Sequence, residues 1–191
     1  MPICALSEIK SDWLNIPSND NSVDRLLARF IESAQTEIED LCAQPIEAQT
    51  VTFYVPGTTD TLLPTGYTVP MTLTSVSSRD AYSDAFTAIA GTASVVPVDG
   101  VQYLATTGDW TATEYRIVAT LGFATVPRVI QTCAAELVVE MFMNTAHNPS
   151  GSRFGVSAVS ENVGGVSTSR TIKDARFRIM PRLAPYRRVS I

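Results

Sequence analysis

The sequence predicts an α+β protein: a small helical bundle of two N-terminal helices plus a central helix, an antiparallel β module inserted between them, and an extended C-terminal arm. Three observations predict it. Apolar residues recur in steps of three and four over 23–42 and again over 127–147, the marks of amphipathic helices. The stretch between them is rich in Thr, Val, Tyr, Ser and Gly, with a period near two. Residues 150–169 are rich in Ser and Gly and hold little that could build a core. The expected organisation is 1–48 for the N-terminal helices, 49–124 for the β module, 125–149 for the central helix and 150–191 for the arm and its basic tail.

Each element has its own warrant. Over 7–15, Ser7 can cap a short helix, Glu8 suits its first turn, and Ile9, Trp13 and Leu14 recur at helical spacing before Pro17. PSNDNS (17–22) is a turn. Val23, Leu26, Leu27, Phe30, Ile31, Ala34, Ile38, Leu41 and Cys42 then form a long apolar stripe, with Glu32, Glu37, Glu39 and Asp40 on the other face as candidates for inter-subunit contacts. TVTFYV (50–55), MTLTSVSS (71–78), VQYLAT (101–106) and YRIVATLG (115–122) read as strands, and PGTTD, PTGY, VDG and TTGD as turns. Such strands suit a small barrel or sandwich with one polar face. Pro127 suits the first turn of the central helix, and NPSG (148–151) breaks it after His147. Val129, Ile130, Cys133, Ala134, Leu137, Val138, Met141 and Phe142 give that helix a stripe wide enough for deep burial.

Charge is distributed very unevenly. Of the 14 Lys and Arg residues, seven fall in the last 22 positions, with one of the 19 acids. The preceding 169 residues therefore hold seven basic and 18 acidic groups, a net charge of −11 against +6 for the tail. Such asymmetry points to a partner for the tail. Its cations are Arg170, Lys173, Arg176, Arg178, Arg182, Arg187 and Arg188, and Leu183, Tyr186 and Ile191, with Ile179, Met180 and Val189, supply apolar anchors. Cations interleaved with anchors suit a protein surface, such as a neighbouring subunit, because a merely electrostatic DNA arm needs no apolar set. Pro181 and Pro185 leave room for only one or two short helical turns, and the tail is expected to order on assembly.

Candidates for chemistry are few. His147 is the one histidine, and its place at a helix end suits contact with free carbonyls. Glu136 and Glu140 stand four apart, the spacing of a salt-bridged or solvated helix face. GGVSTSR (164–170) lacks the pattern of a phosphate-cradling loop and reads as a loop only. Cys4, Cys42 and Cys133 are too few and too scattered for a disulfide framework or a metal site and read as buried thiols. The expectation is a protein that is not an enzyme, needs no cofactor or metal, enters no membrane and is made in a cytoplasm.

The order of segments resembles a known family, the head-tail connector (adaptor, or head-completion) proteins of tailed bacteriophages. LSEIKSDWLNI followed by NSVDRLLARFIESAQTEIEDLCAQPI is similar to the family's opening pair of helices. GFATVPRVIQTCAAELVVEMF resembles its central helix, VSAVSENVGGVSTSRT its Ser-Glu-x-Val-Gly segment, and PRLAPYRRVSI its Pro-Tyr-Arg ending. Together these cover about half the chain, at both ends. The chain departs from the family at Gly165, where many members carry an acid, and at Val166, where many carry an aromatic. The resemblance implies a virion protein of the neck: a ring of twelve copies below the portal protein, touching a downstream tail or stopper protein, with DNA passing through unbound. Two other readings compete with it: an accessory protein binding nucleic acid through the basic tail, and a different neck ring such as a stopper or tail terminator. A small tail-associated hydrolase built on the β module is disfavoured by the scarcity of histidine and of paired acids.

Overall fold

The computed structural model describes residues 3–89, 93–107, 109–143, 145, 158–163, 166–171 and 175–190, with backbone alone for 158–171. The mixed α+β class holds: among the described residues four α-helices accompany three antiparallel sheets. The chain divides into two compact units, a helical one of Met1–Leu41 and Pro127–Ala184 and a β unit of Cys42–Val126 and Pro185–Ile191.

In the helical unit, α1 (Leu6–Glu8) runs directly into a π-helical stretch, Ile9–Trp13, where the Leu14 N–H reaches the Ile9 carbonyl at 3.1 Å. Ser7, expected as a cap, lies inside α1, and Ala5 precedes the helix. The wider winding turns Lys10 inward. Its buried ammonium donates to the carbonyl of Asp20 at 2.7 Å and to Asp24 Oδ1 at 2.7 Å. A buried cation has to be paired in this way, and the pairing ties the 17–22 turn to the start of α2 (Asp24–Cys42). Within that turn Asp20 accepts both the N–H and the hydroxyl of Ser22, and these bonds hold its carboxyl below the ordinary range.

α2 buries Leu27, Ile31, Ala34 and Ile38, the expected stripe. α3 (Arg128–Met143) opens on Pro127, whose carbonyl accepts the N–H of Ile130, and it buries Ile130, Cys133, Ala134, Ala135, Leu137, Val138 and Phe142. Its described part ends at Met143, and His147 lies outside the described residues.

The β unit holds a four-stranded sheet, β1-β7-β3-β4, and a three-stranded one, β2-β6-β5, every pairing antiparallel. The strands are β1 Gln49–Pro56, β2 Leu62–Pro64, β3 Met71–Arg79, β4 Thr87–Ala88, β5 Ser94–Val98, β6 Val101–Ala105 and β7 Glu114–Leu121. β7 alternates without a break, burying Tyr115, Ile117, Ala119 and Leu121. These join Phe53, Leu63, Val76, Leu104 and Trp110 in one core shared by both sheets. The Trp110 indole packs edge-on to Tyr115 and donates to the Thr61 carbonyl at 3.1 Å. The VDG turn joins β5 to β6, with Asp99 and Gly100 both at positive φ, as a two-residue hairpin turn that follows strand twist requires.

Two expectations for the C-terminal third need correction. Residues 158–163 and 166–171 form an antiparallel hairpin within the expected arm, β8 (Ala158–Val163) with β9 (Val166–Thr171), so that 166–170, read as part of a loop, lies in a strand. Val166, Thr168 and Thr171 suit a strand, since β-branched residues are enriched there, although the Ser around them suits a loop as well. The tail, expected to manage a turn or two, forms a nine-residue helix, α4 (Ala175–Leu183), with Pro181 inside it. An interior proline costs about 3 kcal/mol, and the packing of α4 offsets that cost.

Candidate interaction surface on the C-terminal segment

α4 has two apolar faces. Ala175, Ile179 and Leu183, spaced by four, are fully buried in the helical unit, where α4 packs on α3. On the opposite side Phe177 and Met180, three apart, stand exposed at 73% and 44%. Neither the solvent-facing aromatic nor its neighbour is needed for the core.

The acids of α3 place the helix. The Ala175 N–H donates to Glu140 Oε2 at 2.7 Å, putting a carboxylate on the positive end of the α4 dipole. Arg182, in the last turn, donates to Glu136 Oε1 at 2.6 Å, and this bond raises the pKa of its guanidinium further. The i, i+4 pair on α3 is thus a two-point cradle for α4. Arg176 meets Glu37 of α2 through Nε at 2.5 Å.

The residues after α4 belong to the β unit and are fastened there. A short 3-10 turn, Ala184–Tyr186, leads in. Buried Gln44 donates to the Tyr186 carbonyl at 2.5 Å and accepts the Thr68 N–H at 3.0 Å. The Arg188 N–H donates to the Cys42 carbonyl and the Val189 N–H to the Gly66 carbonyl, at 2.8 and 2.9 Å. The Tyr186 ring meets Phe123 edge-on, and the Arg188 guanidinium lies 4.4 Å from the centre of the Tyr67 ring, a cation–π contact.

The residues expected to dock therefore divide. Leu183 is core; Arg176, Arg182 and Arg188 have partners within the chain; Tyr186 is half-buried against it. Arg178 and Arg187 are exposed and make no ion pair among the described residues. Arg170 lies in β9, where the backbone alone is described, and Lys173 and Ile191 lie outside the described residues. Of the acidic face, Glu32 and Asp40 are exposed, Glu39 is half-buried, and Glu37 holds Arg176. Phe177, not among the docking residues expected from the sequence, stands exposed two positions from buried Ile179, on the other side of the helix.

No group of three or more His, Cys, Asp or Glu side chains among the described residues could hold a metal ion, and no described helix is long and apolar enough to cross a membrane. The three cysteines are buried and outside any disulfide. Burial pushes the Cys4 thiol up to about 11, with the Glu8 carboxylate adding to the effect, and burial also raises Cys133. Because the folded state holds the Cys4 proton more tightly than the unfolded chain, this contribution to stability is intact below pH ~9 and is lost as pH rises toward 11. Alkylation by iodoacetamide at pH 8 is expected to be at least ~100-fold slower in the folded protein than in urea, since the thiolate is both scarce and enclosed.

No protein-family model matches the sequence, and no curated protein matches it significantly. Solved structures do match in fold. A chain in the neck of an empty gene transfer agent (GTA) particle computed with C6 symmetry superposes with a TM-score of 0.62 at 15% identity, covering 99% of this chain and 91% of that one. A chain in the virion of a native GTA particle gives 0.60 at 17% identity, covering 100% and 91%. A third, in the neck of a native GTA particle computed with C12 symmetry, gives 0.57 at 15%, covering 97% and 91%. The chain shares its fold, from end to end, with components of such particles.

Proposed function

We propose that this chain is a structural protein of the neck of a tailed phage or phage-like particle. Within the neck it acts as a head-tail connector: a ring of twelve copies below the portal that extends the DNA channel and presents the attachment surface for the tail. The observation that carries this reading is the likeness of fold along nearly the whole chain to chains of GTA necks, one of them in a particle treated with C12 symmetry. The motif order at both ends of the sequence supports the same reading independently. The role is mechanical, with no catalysis. A body of net charge −11 outside the tail suits a passage through which DNA must slide without sticking.

The attachment surface on this reading is the outer face of α4, with Phe177 and Met180 as apolar anchors. Buried aromatic anchors dominate protein interfaces. Negative-stain imaging of the purified protein mixed with portal rings is expected to show a second ring stacked on the portal. Phe177→Asp combined with Met180→Asp is expected to abolish stacking, or weaken it at least ~100-fold, while the melting temperature stays within about 3 °C, because exposed positions tolerate substitution. Failure of the wild-type protein to form rings with or without portal overturns the connector reading. Stacking by the double variant overturns the assignment of the surface. Tight, steeply salt-dependent gel shifts with DNA would instead favour a nucleic-acid-binding protein.

A further inference from the structure

Among the described residues, two of the sheet edges stand out by their length and lack of a further partner. β1 is an outer strand of the four-stranded sheet: it pairs with β7 alone, in unbroken register from Gln49 opposite Leu121 to Pro56 opposite Glu114. Among the described residues no backbone bond reaches its other side. The hairpin β8–β9 is the second case, a two-stranded sheet joined to no further strand.

An open edge is a template for strand pairing, and self-contained proteins blunt it with charge, a bulge or brevity. β1 has none of these. Its sequence, QTVTFYVP, is eight residues long and carries no charge, and the bulge in this sheet falls in β3, between Leu73 and Ser75. Thr50, Thr52 and Tyr54 stand exposed along it. The hairpin has the complementary deficiency, because two strands alone are marginally stable in water and need a third strand or a packing surface. Val, Ser and Thr in β9 suit pairing with a Thr-rich edge.

We propose that hairpin β8–β9 of one copy adds to the open edge of β1 in the next copy, so that the four strands of one subunit continue into the two of its neighbour. Main-chain hydrogen bonds supply the affinity, as in other cases of strand addition. The contact joins unlike surfaces, so repetition about an axis closes a ring and does not stop at a dimer. It rests on the ring reading above for the identity of the occupant.

Cross-linking of the full-length chain tests it. Thr50→Cys, Thr52→Cys and Tyr54→Cys would each be made alone, as would Ser160→Cys in β8 and Ser169→Cys in β9. Each β1 variant is then mixed with each hairpin variant, assembled, and oxidised mildly. The native cysteines are buried and do not compete. In rings verified by negative stain, at least one mixture is expected to give disulfide-linked dimers on a non-reducing gel in more than about a quarter of the chains, about half being the ceiling when two variants mix at random around a ring, and the reactive pair identifies which hairpin strand meets β1. Rings that form normally but yield no cross-link in any mixture overturn this inference and leave the connector reading standing. Absence of rings from the unmodified protein overturns both.

Discussion

Removing residues 175–191 is expected to unfold the helical unit and not merely to detach a docking strap. Ile179 and Leu183 are fully buried, and truncating one such side chain to Ala costs about 2–5 kcal/mol. Loss of both is comparable to the whole stability of a typical domain, about 5–15 kcal/mol. The deletion also strips Glu140 of the Ala175 N–H and Glu136 of Arg182, leaving two carboxylates on α3 without those partners. In the β unit it takes the Tyr186 carbonyl from the buried amide of Gln44, an unmade bond worth about 1–3 kcal/mol. Circular dichroism melts should show loss of cooperative helical unfolding below about 40 °C. A truncated chain melting within 2 °C of the full one would show the segment to be peripheral.

This outcome bears on how the tail is to be tested. The sequence led us to expect a strap that orders on assembly, a reading for which deletion would be the natural experiment. In the structure the same residues are part of the subunit, so a deletion confounds folding with docking. Surface changes at Phe177 and Met180 separate the two.

The charge asymmetry that drew attention to the tail was correctly located, but its partners were not legible. Arg176 and Glu37 lie 139 positions apart, and Arg182 and Glu136 lie 46 apart, so no local pattern joins them. Two of the anions that attract the tail belong to the same chain's helices. Long stripes were legible because periodicity over many residues is hard to mimic: α2, α3 and β7 bury most of the side chains their spacing selects, although Val129, expected in the stripe of α3, stands exposed in its first turn. β2 and β4, at three and two residues, are too short to show a period. β5 carries Pro97, which reads as a strand breaker, yet it pairs with β6 at the edge of its sheet, where proline is tolerated. Pro181 misled in the same way. The rule that proline ends helices describes an isolated helix, whereas α4 is held at both ends by carboxylates and along one face by the core.

Gly122→Ala is expected to be a strongly damaging single methyl in the β unit. Gly122 follows β7 with φ of +111°, a conformation L-residues rarely adopt, and a Cβ there would fall inside contact distance of the Glu47 carbonyl and the Ala48 nitrogen. Both are backbone atoms and cannot swing aside. They could move only with the chain around them, where Gly122 donates to Pro70 and Phe123 donates to Ile46. Strain of about 1–3 kcal/mol and a displacement of similar cost together give about 3 kcal/mol or more. That is on the order of 10 °C or more in melting temperature for a unit of this size. Gly100 provides the control. Its φ of +80° carries a comparable backbone penalty, but nothing lies within 4 Å of a Cβ built there. Gly100→Ala should therefore cost only about 1 kcal/mol. If the two variants melt together, close approach of the backbone is not what fixes Gly122, and its φ alone accounts for the glycine. If Gly122→Ala falls well below Gly100→Ala, the approach of residues 47–48 to the end of β7 is a contact on which the β unit depends.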